Sequence, residues 1–193
     1  MDSIKANDVL DAKGLTCPMP IVKTKKAITN MPEGHVLEVQ ATDKGSKADL
    51  KAWAENSGHQ YIGTIEEGGQ LKHYIRKSSN EEGSEKKHER VVSNEELLSK
   101  VEGADQYTIL DVREEAEYAF NHIPNAISIP FGELEDRMDE LKKDQDIYVV
   151  CRTGNRSDMA AQKLAEKGFA QVYNVVPGMS KWTGQTISLN ENN

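Results

Sequence analysis

The sequence predicts two α/β domains joined by a linker. These are an N-terminal βαβαββ two-layer sandwich over residues 1–77 and a C-terminal domain over residues 91–193, with a largely parallel five-stranded sheet flanked by helices. Three observations carry the prediction. A chain of 193 residues is long for one small core and comfortable for two. Residues 78–90 contain no apolar side chain, so they have nothing to bury and read as a solvated linker. On either side of that segment, short β-branched runs alternate with helical stretches, the order that stacks helices on a sheet.

In the first domain Val9-Leu10-Asp11-Ala12 reads as a strand, and Lys13 to Thr16 lead into Cys17-Pro18-Met19-Pro20. Proline is tolerated in the first turn of a helix and nowhere deeper, so Pro18 and Pro20 fix where the first helix begins. Ile21, Val22, Ile28 and Met31 mark its apolar face. Pro18 also keeps Cys17 away from helical angles, which leaves its thiol at the mouth of the helix, where the dipole is expected to favour a thiolate. Lys23, Lys25 and Lys26 follow, either as a solvated face or as an attraction for an anionic donor or acidic partner. Breakers at residues 30–34 precede an alternating strand at residues 35–42. Ser46 with Asp49 is expected to cap a second helix, Leu50, Trp53 and Ala54 to face inward, and Gly58 to stop it. Residues 61–66 and 71–77 flank Glu67-Gly68-Gly69-Gln70 as a hairpin.

Val91-Val92 opens the second domain, and Ser93 with Glu96 forms a capping box for a helix whose Leu97, Leu98 and Val101 face inward. Strand patterns recur at residues 107–112, 126–129, 146–150 and 171–175, with helical stretches at 114–120, 133–141 and 158–167. The chemistry concentrates at the third of these strands. Its apolar run breaks into Cys151-Arg152-Thr153-Gly154-Asn155-Arg156-Ser157, after which Met159, Ala160, Lys163 and Leu164 continue at helical spacing. Cys151 is therefore expected at the C-terminal end of a buried strand, where open α/β sheets place ligands. The loop after it can turn its backbone N–H groups toward one point before a helix N-terminus, favouring a thiolate, with Arg156 and Arg152 adding positive charge.

Composition excludes several classes. Only two cysteines occur, Cys17 and Cys151, far apart in sequence, which argues for two working thiols rather than a disulfide framework. No CxxC pair occurs and the five histidines are scattered, so no metal is expected. The start of the chain lacks the basic and apolar signature of an export signal, and no apolar run reaches the length of a membrane span, so a cytoplasmic protein is expected. The net charge of −8 falls on residues 91–193, with 10 basic and 18 acidic side chains; stable nucleic-acid binding is not expected there.

The loop Cys151 to Ser157 resembles the active-site loop of the rhodanese sulfurtransferase family, in which the cysteine carries sulfur as a persulfide. Four residues separate Cys151 from Arg156, one fewer than in the related cysteine phosphatases, so sulfur is favoured over phosphate or arsenate chemistry. The resemblance continues through Asp111-Val112-Arg113, Glu117-Tyr118, His122-Ile123-Pro124-Asn125-Ala126, Asn174-Val175, Gly178-Met179 and Trp182, with Asn125 and Pro177 in place of glycines usual in that family. Asp111 and Arg113 are expected as a structural ion pair behind the site, and His122 as a turn residue. The first domain resembles the TusA-like (SirA-like) sulfur-carrier family. The shared features are Leu10 to Leu15, the CPxP signature at Cys17 to Pro20, Lys25-Lys26, Trp53 and Ile75-Arg76-Lys77, with Lys13 where arginine is common.

The combination implies a sulfurtransferase that needs no cofactor. Cys151 would take sulfane sulfur from thiosulfate or a persulfide donor, held by Arg156, Arg152, Thr153, Gly154, Asn155 and Ser157, and relay it to acceptor thiols including Cys17. Its partners would then be sulfur-donating or sulfur-accepting proteins. The alternative is a persulfide carrier that delivers sulfur to a thiolation or sulfide-detoxification partner with little thiosulfate turnover.

Overall fold

The computed structural model describes residues 3–79, 85–103 and 105–189. It divides into two compact units, residues 1–80 and 81–193. Residues 80–84 of the expected linker lie outside the described residues.

The first unit contains β1 (Asp8–Asp11), α1 (Met19–Asn30), β2 (Val36–Ala41), α2 (Ser46–Asn56), β3 (Gln60–Glu67) and β4 (Gln70–Arg76), the βαβαββ order that the sequence predicts. The sheet runs β1-β2-β4-β3. β1 and β2 are parallel and joined through α1, as a parallel pair requires, while β2–β4 and β4–β3 are antiparallel. Gly68 and Gly69 close the β3–β4 hairpin at φ 58° and 78°, which a two-residue turn between twisted strands demands. The core lies on one face, where Ile28 of α1 and Leu50 and Ala54 of α2 meet Leu37, Val39 and Ile75 of the sheet. The inward face of α1 differs from the predicted stripe. Pro20, Thr24 and Ile28 are buried, whereas Val22 points to solvent at 53% exposure.

Ser46 also departs from expectation, because α2 has Gly45 as its N-cap and no side-chain cap. The Ser46 hydroxyl instead donates to the Asp43 carbonyl at 2.6 Å and pairs with His73 Nε2 at 2.9 Å. With its one proton committed to Asp43, Ser46 accepts from His73 Nε2–H. The other ring nitrogen, Nδ1, lies 2.9 Å from both Tyr61 Oη and Thr64 Oγ1. His73 is fully buried. Burial, helped by the positive charge of Lys47, pushes its pKa down to about 4 from 6.5.

The second unit contains β5 (Val91–Ser93), α3 (Asn94–Val101), β6 (Tyr107–Asp111), α4 (Glu115–Phe120), β7 (Ile127–Ser128), α5 (Leu134–Arg137), β8 (Asp146–Val150), α6 (Asn155–Glu166) and β9 (Val172–Val176). Its five strands, ordered β5-β9-β8-β6-β7, are all parallel. The Ser93 capping box forms, with Glu96 N–H donating to Ser93 Oγ at 3.1 Å and Ser93 N–H to Glu96 Oε2 at 2.6 Å. The helix expected over residues 133–141 is shorter, with α5 flanked by single turns of 3₁₀ helix. Side chains of the central strand alternate between two cores. Ile147, Val149 and Cys151 pack with Ala160, Ala161 and Leu164 of α6, while Tyr148 and Val150 pack with Leu97 of α3 on the opposite face. The end of the expected linker is also anchored: the N–H groups of Lys87 and His88 donate to the buried Asp158 carboxylate at 3.0 and 2.9 Å, and Asn174 N–H donates to Arg90 O.

Because the fold keeps His73 neutral, its contribution to stability is complete above pH 6.5 and is lost as pH falls from 6.5 toward 4, where the folded form also takes up the proton. Denaturation of a Trp182→Phe variant, followed by Trp53 fluorescence, is expected to show roughly 2 kcal/mol less stability near pH 5 than near pH 8. His73→Gln should remove most of that slope; an unchanged slope would mean that His73 titrates freely.

Candidate active site

The site forms where β8 ends and α6 begins. Strand pairing on both sides, to β6 and β9, holds the residues before Cys151 in the middle of the sheet. The chain then reverses at Gly154, whose φ of 90° suits glycine, and whose missing Cβ would lie 2.8 Å from Val176 Cγ1 and 3.2 Å from Lys86 Nζ. A side chain at Gly154 would therefore strain the backbone and strike its neighbours. From the next residue α6 runs on, so its first-turn N–H groups, without intrahelical acceptors, lie beside the loop.

Cys151 is buried, and its sulfur accepts from the Gly154 N–H at 3.1 Å and lies 3.2 Å from Ser157 Oγ. Ser157 in turn donates to Asn174 Oδ1 on β9 at 2.6 Å, and Asn174 Nδ2 donates back to the Gly154 carbonyl at 3.1 Å. A closed ring of hydrogen bonds thus joins the sulfur, the loop and β9. The floor of the loop is held by main chain alone: Met179 N–H donates to Cys151 O at 2.8 Å and Ser180 N–H to Arg152 O at 2.9 Å. This needs the left-handed Gly178, because a Cβ there would stand 2.5 Å from Cys151 O. Asn94 fixes Gly178 from the other side, donating to its carbonyl at 2.9 Å and accepting its N–H at 3.1 Å. Arg152 and Thr153 on the loop and Asn155 at the start of α6 are half-buried.

Arg156 is placed differently from the free cation that the sequence suggests. Its two terminal nitrogens donate to Glu117 at 2.7 and 2.9 Å, and both side chains are buried. Burial disfavours its charge; Glu117 outweighs that cost, with Cys151 and Glu114 adding to it, so the guanidinium stays protonated. The sulfur feels a cation that already gives two hydrogen bonds to Glu117. Asp111 and Arg113 form the expected buried pair, Nη2 to Oδ2 at 2.7 Å, and Arg113 also donates to Asn121 O. His122 Nδ1–H donates to Tyr118 O at 2.7 Å and the ring stacks on Tyr118, in keeping with a turn role. Asn125 adopts φ 65°, the left-handed angle expected where it replaces a glycine.

Cys17 is exposed, two residues before α1. The expected thiolate is not favoured there. A hydrogen bond to Asp49 comes first, then partial desolvation and repulsion from Asp49 and Asp43, and together they push the thiol pKa up. The helix offers little in compensation, because Pro18 and Pro20 have no N–H and Met19 N–H is already taken by Thr16 O. Lys23, Lys25 and Lys26 are exposed on α1.

The sequence reading missed Asn174, Asn94 and Asp158 as parts of the site's framework. For Asn174 a signal was present: a buried amide interrupts the apolar run of β9, and such a group needs partners. Among the described residues no cluster of His, Cys, Asp or Glu could hold a metal ion, and no helix is long and apolar enough to cross a membrane.

Comparison with known proteins agrees with this geometry. The family model for sulfurtransferase TusA matches residues 8–77, and that for the rhodanese-like domain matches residues 93–185. A Bacillus subtilis protein named "Putative sulfur carrier protein YrkF" is 50% identical over 183 residues, covering 95% of this chain and 99% of its own length. The sulfur carrier protein TusA of Allochromatium vinosum is 46% identical over 69 residues, 36% of this chain and 91% of its own. The solution structure of the rhodanese-like domain of Anabaena protein Alr3790 superposes with a TM-score of 0.50 at 30% identity, covering 55% of this chain and 85% of its own. The chain belongs to the family in which a TusA domain precedes a rhodanese-like domain, and its chemistry is sulfur transfer.

Proposed function

We propose that Cys151 is the entry point for sulfur, taken as sulfane sulfur from thiosulfate or a persulfide donor and relayed to acceptor thiols, among them Cys17. The observation that carries this reading is the Cys151 sulfur held 3.1 Å from the Gly154 N–H, at the end of the central strand and before α6. In the first step the Cys151 thiolate attacks the outer sulfur of thiosulfate. A new S–S bond forms, the thiosulfate S–S bond breaks, and sulfite leaves with the electron pair. The persulfide anion is stabilised by Gly154 N–H and the α6 N-terminus, while Arg152, Thr153 and Asn155 line the rim and Ser157 supports the sulfur. In the second step an acceptor thiolate attacks the outer sulfur and Cys151 leaves as a thiolate, so sulfur moves with no net oxidation and no cofactor.

One observation favours the alternative of a carrier with little thiosulfate turnover. Arg156 is neutralised by Glu117, which lowers the pull on a dianion and suits a persulfide presented by another protein.

The reading is tested by the intact mass of the protein and of its Cys17→Ser and Cys151→Ser variants after brief exposure to thiosulfate. One reducible added sulfur in all but Cys151→Ser is the expected result; adducts that persist in Cys151→Ser would place entry elsewhere. If thiosulfate loads nothing while a persulfidated protein does, the carrier reading holds. Separately, Glu117→Gln strands the Arg156 charge in the interior and is expected to cost about 3–5 kcal/mol of second-unit stability. Chemical denaturation in a Trp53→Phe background, followed by Trp182 fluorescence, reads that loss.

A further inference from the structure

The ring of hydrogen bonds behind Cys151 contains a competition. Ser157 has one hydroxyl proton and two claimants for it, the Cys151 sulfur at 3.2 Å and Asn174 Oδ1 at 2.6 Å. Asn174 cannot turn its amide to relieve this, because its Nδ2 is held by the Gly154 carbonyl at 3.1 Å. With the proton directed at Asn174, Ser157 presents a lone pair to Cys151, which suits a thiol donating S–H. A thiolate needs the opposite arrangement, with O–H turned to sulfur and Asn174 Oδ1 left without its donor. Ser157 and Asn174 are both fully buried, so water does not easily take either place.

We infer that Asn174 is a positioning residue for sulfur transfer: it holds the Ser157 hydroxyl away from Cys151 and so restrains ionisation of the thiol until the Ser157 proton swings to the sulfur. When it swings, the thiol proton leaves to solvent and no bond other than S–H breaks. The inference rests on Cys151 being the reacting nucleophile, but its physical content, the coupling of Asn174 to thiolate formation through Ser157, does not require sulfur transfer to be measured. The charged groups on the loop and the elements packed against it are Arg156 paired with Glu117 and near Glu114, Arg113 paired with Asp111, Arg152 on the loop, Lys86 over Gly154, and Asp158 holding the Lys87 and His88 N–H groups. All of them are common to the variants compared below.

The test is a pH titration of thiolate ultraviolet absorbance in the full-length Cys17→Ser protein, where Cys151 is the sole thiol. Asn174→Ala frees the Ser157 proton and should lower the midpoint of thiolate formation by about one pH unit, the difference between a charge-assisted and a neutral hydrogen bond. Asn174→Asp accepts more strongly from Ser157, adds negative charge and gives up the Nδ2 bond to the Gly154 carbonyl, and it should raise the midpoint. Dependence of both shifts on Ser157 is what separates the coupling from general loosening of the loop and from the added charge. With Ser157→Ala in the background, the Asn174→Ala shift should vanish and the Asn174→Asp shift should shrink to the direct effect of the added charge. Midpoints that move in the same direction for both substitutions, or shifts unaffected by Ser157→Ala, would overturn the inference. If Asn174→Ala does not fold, the Asn174→Asp pair with and without Ser157 decides alone. Absence of sulfur loading from any donor, with the midpoints moving as stated, would instead count against Cys151 as the entry point while leaving the coupling intact.

Discussion

The reversal of the chain at Gly154 is the constraint on which the second unit's site depends. Only a residue without a Cβ fits between the loop and Val176 at a φ of 90°, and only that turn brings the Gly154 N–H within 3.1 Å of the sulfur three residues earlier. The same turn starts α6 at Asn155, so that Arg156 reaches Glu117 and Ser157 reaches both Cys151 and Asn174. Sheet, helix and loop therefore agree on one position for the sulfur. A buried, neutralised cation behind it and a hydrogen-bond ring beside it then make the pocket stiff.

The two cysteines sit in contrasting settings. Cys151 is enclosed at a strand end with its sulfur hydrogen-bonded from the main chain. Cys17 stands exposed before a helix whose first donors are missing or occupied, beside carboxylates that hold it as a thiol. An enclosed sulfur beside a fixed main-chain donor suits catalysis of the bond exchange, whereas an exposed one suits access by other thiols.

Much of this was legible in the sequence. The order of strands and helices followed from apolar periodicity, the hairpin from Gly68-Gly69, the α3 start from Ser93 and Glu96, and the place of Cys151 from a β-branched run breaking at a glycine loop. What failed were inferences from one residue to one partner. Ser46 looked like a cap but turns inward to His73, and Arg156 looked like a free cation but is claimed by Glu117, 39 residues away. The thiolate expected at Cys17 assumed a helix dipole and overlooked Asp49 on another helix. Local pattern encodes elements; the charge state of a side chain depends on what tertiary packing brings beside it. The anchoring of Lys87 and His88 on Asp158 belongs to the same class, since composition alone marks that stretch as solvated.

The floor of the Cys151 loop is built from the N–H groups of Met179 and Ser180 meeting the carbonyls of Cys151 and Arg152. Main-chain contacts are indifferent to side-chain identity, apart from the glycine at 178 that permits them. The segment can therefore drift in sequence at the exposed Ser180 without moving the sulfur, whereas Met179 must stay apolar because its side chain is buried in the core, and Arg152, Thr153 and Asn155 can change the rim without rebuilding the floor. On the proposed reading of Cys151, recognition of donors and acceptors is then separable from the chemistry in evolutionary terms. A lineage could retune which thiol it serves by surface substitutions while the reacting centre stays fixed.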